Sequence, residues 1–146
     1  MTKTIFVART SSDLERCFPI IKELRPHLNI NDYFSIYEQS HKSDGYEIIA
    51  TEVDGKVLAV MGYRILFDYV RGKHMYVDDL VSTENSRSRG LGAELLNYAE
   101  SMAKELNCSG LRLCTGIENE GGIKFYEKNG WTKRAFAYSK KIGEKK

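Results

Sequence analysis

The sequence has little that would support a disulfide-bonded, metal-binding or membrane-spanning protein. Its 146 residues include three cysteines, two prolines and one tryptophan. An odd number of cysteines without a C-x-x-C pair predicts reduced, mostly buried thiols and no zinc site. The three histidines are scattered, so no metal site is predicted. No apolar run approaches the roughly 18 residues of a membrane helix, and the first residues lack a signal-peptide core, so we expect a cytoplasmic chain without a membrane partner.

The charge balance is mild. The formal net charge is +2 and the pI is about 8.4. A dedicated nucleic-acid-binding domain is expected to have a pI above about 9, so we expect no nucleic-acid partner. The basic C-terminal stretch "KKIGEKK" is interpreted as a solvated end of the chain. A chain of this length is large enough for one compact domain, and we predict a single domain over residues 1–146.

Apolar periodicity predicts an alternation of strands and helices. A first strand is expected at Thr4–Ala8, and the Asp54-Gly55 pair predicts a tight hairpin between two later strands. A helix over "SSDLERCFPIIKEL" is expected to be capped by Ser11 or Ser12, and Pro19 predicts an interruption in it or a later start. The other predicted elements are a helix from about Ile30 to Gln39, a strand "HMYVDDLVS", a long amphipathic helix from Leu91, a strand "GLRLCT", a helix "ENEGGIKFYEKNG" and a final strand or hairpin "WTKRAFAYSKKI". This order predicts a mixed α/β sheet flanked by helices.

The stretch "SRSRGLGAELL" joins the fourth strand to the long helix. A helix N-terminus exposes unpaired N–H groups and the positive end of the helix dipole. Glycines at such a point let the backbone approach an anion, and none of the residues from Ser86 to Ala93 is acidic. We therefore predict a phosphate-binding loop, to which Arg87 and Arg89 add charge-assisted contacts. A glycine-rich turn with nothing bound is the alternative.

Two common phosphate-binding motifs do not match this loop. A P-loop requires Gly-Lys-Ser/Thr, which the sequence lacks. A dinucleotide fingerprint requires a third glycine where Leu95 stands, and it normally follows the first strand of its domain. Neither motif explains the loop.

The pattern Arg87-x-x-Gly90-x-Gly92 resembles the Q/R-x-x-G-x-G/A signature of the GNAT N-acetyltransferases. The resemblance continues through "LRLCTGIENEGGIKFYEKNGW", where Asn119 and Tyr126 have the family's usual separation. It is close from about Met75 to Trp131. Departures from the pattern are Glu84, Ser88 and the pair Gly121-Gly122, and none removes a group that the chemistry requires.

The resemblance implies a GNAT fold, with a mostly antiparallel central sheet, and transfer of an acetyl group from acetyl-CoA to a primary amine by direct attack. The expected cofactor contacts are the β-strand backbone at Leu80, Val81 and Ser82, the loop residues Arg87, Ser88, Arg89, Gly90, Leu91, Gly92 and Ala93, and the side chains of Asn119 and Tyr126. Helix capping explains Asn119 equally well. A homodimer is compatible with the resemblance, although no stretch of the sequence establishes one.

The resemblance also suggests the catalytic groups. Tyr126 would protonate the leaving thiolate, and the alternative is a core aromatic residue. Asp78 and Asp79 stand out in an apolar strand, where adjacent residues point to opposite faces. By similarity to the polyamine acetyltransferases, Asp78 would serve the acceptor amine as a base or a counter-charge, and the alternative is a surface salt bridge.

The acceptor is the least defined part of the prediction. Tyr33, Asp78 and Asp79 are the expected acceptor-binding residues, although Tyr33 at helical spacing with Phe34 and Tyr37 is also typical of a core. Acidic neighbours would suit a cationic amine, and a polyamine, an amino acid, an aminoglycoside and a protein amine all remain open. A non-catalytic acyl-CoA sensor on the same fold is the alternative function.

Overall fold

The computed structural model of the chain describes residues 2–143. Five strands form one sheet in the order β1-β2-β3-β4-β5, in which β1 to β4 are antiparallel and β5 is parallel to β4. The strands are β1 (Lys3–Ala8), β2 (Glu47–Val53), β3 (Lys56–Asp68), β4 (Gly72–Ser82) and β5 (Leu111–Leu113). The helices are α1 (Ser11–Leu24), α2 (Ile30–Asp44), α3 (Leu91–Glu105) and α4 (Glu120–Lys128), and a 3₁₀ turn covers Glu84–Arg89. The predicted mixed, mostly antiparallel sheet is confirmed.

The chain divides into two compact units, Met1–Leu113 and Cys114–Lys146. The first unit holds the whole sheet with α1, α2 and α3, and the second holds α4. Within residues 2–143, no helix combines the length and the apolar character that a membrane crossing requires.

The sheet of the first unit is buried on both faces. On one face, α1 and α2 pack on Ile48, Ala50 and Val60. The intervening residues point to the opposite face. There α3 contributes its buried stripe, and Tyr63 of β3 contacts Met102 of α3. Alternating apolar residues in β2 and β3 therefore fix the strand register from both sides.

Helix α1 differs from the prediction at two points. Its N-cap is Thr10, whose hydroxyl accepts from the Asp13 N–H at 3.0 Å, so neither Ser11 nor Ser12 is the cap. The helix also continues through Pro19 without a break. A proline inside a helix removes one backbone hydrogen bond. Buried Cys17 and Ile21 lie on either side of it, and their packing on the sheet outweighs that loss.

Helix α2 is longer than predicted. It ends at Asp44, and Gly45 closes it in the left-handed conformation at φ 69°. Left-handed glycine is a common helix C-cap, so Gly45 sets the end of this helix.

The predicted final strand is wrong for the described residues. Trp131–Ile142 contains no assigned strand, and Phe136 and Tyr138 are exposed. A strand needs a neighbour for its backbone N–H groups. Alternation in the sequence alone does not supply one.

The cysteines are free, as expected, but only Cys17 is buried. Cys108 is half-buried, and Cys114 is exposed just after β5 ends at Leu113. The prediction of mostly buried thiols is therefore wrong.

Candidate active site

A cavity of about 330 Å³ lies in the first unit, between the α1–α2 region and the sheet. Its apolar wall includes Ile21, Leu28 and Ile36, and its polar wall carries two arginine and two aspartate side chains. The lining residues are Ile21, Arg25, His27, Leu28, Tyr33, Ile36, Tyr37, Ser40, Tyr46, Arg64, Asp78 and Asp79. All three predicted acceptor-binding residues, Tyr33, Asp78 and Asp79, are among them.

A β-bulge places both aspartates on this cavity. In the β3–β4 register, Gly62 pairs with Asp79 and Tyr63 pairs with Val77, so Asp78 is the extra residue of β4. Regular alternation would have sent the two carboxylates to opposite faces. The expectation that they point apart is therefore wrong, because the bulge interrupts the alternation between them.

Asp78 is held by Arg64 of β3. Nε of Arg64 donates to Oδ2 of Asp78 at 2.9 Å, and Nη2 donates to Oδ1 at 2.8 Å. Burial raises the pKa of Asp78, and the Arg64 guanidinium opposes that rise. This two-pronged ion pair keeps a negative charge in a partly buried position.

Asp79 is held by two other residues. Arg25, at the end of α1, donates from Nε and Nη2 to Oδ1 of Asp79 at 3.1 and 3.0 Å. Tyr46 donates its hydroxyl to Oδ2 at 2.7 Å. Arg25 also donates to the backbone oxygen of Asp78 at 3.1 Å. Both carboxylates are therefore fixed in orientation by donors from outside their own strand.

Tyr33 contributes a ring to the cavity and no free hydroxyl. It is buried, and its hydroxyl donates to the backbone oxygen of Leu14 at 2.7 Å. Tyr33 is therefore a core residue that also lines the cavity, and its role in binding the acceptor stays a prediction.

Past the bulge, one edge of β4, here called the open edge, pairs with no strand among residues 2–143. The parallel pairing with β5 covers only Met75, Tyr76 and Val77. On the other edge, the Thr83 N–H donates to the Leu58 oxygen at 2.7 Å. Antiparallel alternation then turns the backbone groups of Leu80 and Ser82 away from β3, toward the open edge, and those of Val81 toward β3.

The predicted phosphate-binding loop, residues 86–93, follows β4 and is called the glycine-arginine loop below. Arg87 and Arg89 lie in the 3₁₀ turn, as does the backbone of Ser88, whose side chain lies outside the described part of the structure. Gly90 is left-handed, with φ 76°, and immediately precedes α3. This conformation favours glycine. Leu91, Gly92 and Ala93 form the first turn of α3, where backbone N–H groups lack intrahelical acceptors.

The side chain of Arg87 has partners in the first unit. Arg87 donates from Nε to the Ser82 oxygen at 3.3 Å, and its Nη2 lies 3.7 Å from Glu23 of α1. Glu23 also accepts from the Thr83 hydroxyl and the Glu84 N–H, at 2.7 and 3.0 Å. Glu23 therefore anchors the start of the loop. The side chain of Leu91 is buried in the core, so only its backbone is available to a ligand.

In the second unit, Asn119 caps α4. Its Oδ1 accepts from the Gly122 N–H at 3.1 Å, and its Nδ2 donates to the Thr115 hydroxyl at 3.0 Å. A Cβ atom at Gly122 would lie 2.4 Å from Nδ2 of Asn119, whereas Gly121 has open space. The departure of Gly122 from the family pattern therefore makes room for the cap.

Tyr126 lies on α4 with its ring edge-on to Trp131, at a centroid distance of 5.9 Å. It is half-buried, and burial raises the pKa of its hydroxyl above 10. The phenol therefore stays protonated, and able to donate, throughout the neutral range.

Sequence reasoning missed Arg25, Arg64, Tyr46 and Glu23. A carboxylate in an apolar strand requires a hydrogen-bonding or oppositely charged partner, so the aspartates predict that such partners exist. The chain has 22 lysines and arginines, however, and no local pattern marks the two that pair.

Comparison with known proteins agrees with this arrangement. The model of the acetyltransferase (GNAT) family matches residues 8–131. The N-acetyltransferase YhdJ of Bacillus subtilis, named as uncharacterized, is 29% identical over 126 residues, which cover 86% of this chain and 89% of the relative. A thialysine N-epsilon-acetyltransferase of Bos taurus is 24% identical, over 74% of this chain and 72% of the relative. Among solved structures, AAC(6')-Iy bound to a CoA bisubstrate analogue has a TM-score of 0.82 at 19% identity, over 97% of this chain and 100% of that one.

Fold and family match together define an acyltransferase that uses an acyl-CoA donor. The chain belongs to the acetyltransferase (GNAT) family. Its reaction class is the transfer of an acetyl group from acetyl-CoA to an amine.

Proposed function

We propose that the cavity at Asp78 and Asp79 holds the acceptor amine, and that the whole chain, residues 1–146, acts as one N-acetyltransferase domain. The observation that carries this proposal is the bulge, which brings two adjacent carboxylates into one cavity. The open edge of β4 begins at the same bulge, so an amine in the cavity would lie beside a donor bound along that edge. Such positioning of two reactants supplies a large part of the rate in a direct transfer.

Acetyl-CoA would bind along the open edge and at the loop. The outward backbone groups of Leu80 and Ser82 suit the amide-containing pantetheine arm, and Val81 would contribute contacts of its side chain. The pyrophosphate would lie at Arg87, Ser88, Arg89, Gly90, Leu91, Gly92 and Ala93, where the α3 N-terminus and the arginines favour negative charge. Asn119 is held by its capping contacts, so its role toward the cofactor would be secondary.

Two proton transfers are required. An amine of pKa about 10.4 arrives protonated and must lose a proton before it attacks the thioester carbonyl. Asp78 would either accept this proton, directly or through water, or bind the ammonium form as a counter-charge. Both Asp78 oxygens accept bonds from Arg64, which favours its role as a fixed counter-charge. Tyr126 would protonate the departing thiolate of CoA, since its phenol keeps its proton at neutral pH.

The acceptor is a primary amine, bound by Tyr33, Asp78 and Asp79. Relatives named for acetylating thialysine and a neighbour with an aminoglycoside analogue support a small amine. We place the enzyme in the cytoplasm, where its free thiols Cys17, Cys108 and Cys114 would stay reduced. Neither a nucleic acid nor a membrane is proposed as a partner, and a homodimer stays a prediction.

The first test is ligand-induced stabilisation. Acetyl-CoA at 100 times its dissociation constant should add about 2.7 kcal/mol of stability, whereas NAD and ATP should add none. Thiol release from acetyl-CoA is then measured with a panel of amines. An absence of stabilisation in a folded, cofactor-free sample would contradict the proposal.

Tyr126→Phe separates an enzyme from a non-catalytic acyl-CoA sensor. In an enzyme, this variant should keep acetyl-CoA binding and lose roughly 100-fold in kcat, as for loss of a general acid. Tyr138→Phe, at an exposed tyrosine of the same unit, is the matched control. Binding without turnover in the unmodified protein, with any amine, would favour the sensor.

A further inference from the structure

The acceptor cavity is balanced in charge. Apart from His27, the residues in its lining whose side chains carry a charge at neutral pH are two arginines, Arg25 and Arg64, and two aspartates, Asp78 and Asp79. Each carboxylate is paired with one of the arginines. Asp32 and Asp44 are not among the residues that line this cavity. The Asp32 carboxylate accepts a hydrogen bond from the Asn29 side chain at the start of α2. The Asp44 carboxylate lies 3.8 Å from Nη1 of Arg64.

This balance disfavours a polycationic acceptor. A diamine or polyamine would bring two or more positive charges against carboxylates that are already neutralised. Uncompensated charge in a partly buried site is costly. An acceptor with an equal number of positive and negative groups would keep the balance.

Arg25 is the group best placed to receive an anion. Its described contacts use Nε and Nη2, and none of them uses Nη1. Its side chain is 44% exposed. Arg64, by contrast, directs all three nitrogens at carboxylates, with Nη1 3.8 Å from Asp44. Since Nη2 already donates to two acceptors, the N–H groups of Nη1 are the ones that can form a charge-assisted hydrogen bond with a carboxylate oxygen.

We infer that the acceptor is an amino-acid-type zwitterion, whose carboxylate binds Arg25 while its ammonium group lies toward Asp78. The inference rests on the proposed function of the cavity as the acceptor site. Ile21, Leu28 and Ile36 offer an apolar wall for the carbon chain between the two charges. A volume of about 330 Å³ is at the small end of ligand sites, which suits a single amino acid.

The test uses amines that differ only in the carboxylate. Thiol release at saturating acetyl-CoA is compared for lysine and cadaverine, ornithine and putrescine, and methionine and 3-(methylthio)propylamine. The zwitterion of at least one pair should have a kcat/KM higher by roughly tenfold or more, because the analogue leaves the Arg25 site without its partner. Equal or better turnover of the carboxylate-free amines in every active pair would overturn the inference.

Arg25→Gln tests the assigned residue. It should raise KM for the preferred zwitterion by roughly tenfold or more beyond its effect on the carboxylate-free partner, which loses only the support that Arg25 gives to Asp79. Arg16→Gln is the matched control, because Arg16 also lies on α1, is paired with Glu52 and does not line the cavity. An equal loss for both members of a pair in Arg25→Gln would indicate a structural role only and contradict the inference.

Failure of this inference can be told from failure of the proposed function. If acetyl-CoA stabilises the chain and only carboxylate-free amines are acetylated, the proposed function holds and the inference of a zwitterionic acceptor is overturned. Stabilisation by acetyl-CoA with no turnover of any of the six amines also overturns the zwitterion. A folded chain that acetyl-CoA does not stabilise overturns the proposed function itself.

Discussion

The hydroxyl of Tyr46 lies 2.7 Å from Oδ2 of Asp79, and the ring that carries it passes directly over Gly62. A Cβ atom at Gly62 would lie 2.0 Å from that hydroxyl oxygen and 2.6 Å from Cζ. Gly62 is also the residue that pairs with Asp79 at the β-bulge. The glycine, the phenol and the carboxylate therefore form one unit, in which the missing side chain makes the hydrogen bond possible.

Gly62→Ala should displace Tyr46 and release Asp79. We expect a loss of roughly 1 to 3 kcal/mol in the free energy of unfolding, as for overpacking, together with a raised KM for the amine. Urea unfolding and acceptor kinetics measure the two effects. Gly110→Ala is the control, because Gly110 has open space in the same unit. Unchanged stability and KM in Gly62→Ala would contradict the contact.

The glycine-arginine loop makes a separate prediction at Gly90, whose φ of 76° strains any other residue. Gly90→Asn and Gly90→Asp should lose similar stability, roughly 1 kcal/mol, since both side chains tolerate this conformation better than most. Only the aspartate adds negative charge at the α3 N-terminus. Acetyl-CoA affinity should therefore fall by roughly tenfold or more in Gly90→Asp relative to Gly90→Asn, and most strongly at low salt.

Calorimetric titration of acetyl-CoA at two salt concentrations checks this difference. Equal affinities for the two variants would indicate that no anion binds at this helix end. Leu91 would be a poor probe of the same loop, because its buried side chain makes Leu91→Glu a test of folding.

The sequence predicted those parts of the fold that depend on neighbouring residues. The Asp54-Gly55 hairpin is correct because both residues are left-handed, at φ 50° and 84°, a geometry that Asp-Gly favours. Helix α3 begins at Leu91, as its periodic apolar stripe predicted. In both cases a local pattern determines a local conformation.

Parts that depend on distant residues were not predictable. Pro19 stays helical because buried residues before and after it, Cys17 and Ile21, belong to the core on the sheet. The bulge at Asp78 is visible only once β4 is paired with β3. Arg25 and Asp79, which are 54 residues apart, meet only in the folded chain. The sequence therefore identified the aspartates and could not identify what holds them.

The start of α4 allows a paired glycine test. Gly122→Ala places a Cβ atom 2.4 Å from Nδ2 of Asn119 and should disrupt the cap, whereas Gly121→Ala meets open space. Loss of an N-cap costs about 1 kcal/mol, and alanine at an open helical position gains up to about 1 kcal/mol. At Gly122 the gain and the loss oppose each other, whereas at Gly121 only the gain applies, so thermal unfolding should rank Gly121→Ala above Gly122→Ala. The reverse order would show that Asn119 does not cap this helix.

Alkaline pH should reveal the buried thiol of Cys17. Burial raises the pKa of this thiol from 9.0 to about 12, so the folded state keeps its proton when the unfolded state has lost it. Its contribution to stability is fully present below pH 9.0 and is lost as the pH rises from there toward 12, by at most about 1.4 kcal/mol per pH unit.

Cys17→Ala removes this contribution, so its stability deficit relative to the unmodified protein should shrink between pH 9 and pH 11. Burial also raises the pKa of Tyr63, in the same direction in both proteins, so that contribution cancels in the comparison. Tyr33 acts with the thiol, because the charge of Cys17 adds to the burial that raises the pKa of Tyr33. Urea unfolding at pH 7, 9, 10 and 11 measures the deficit, and Cys114→Ala, at an exposed thiol, is the control variant. A constant deficit in Cys17→Ala would mean that the thiol titrates alike in the folded and unfolded chains.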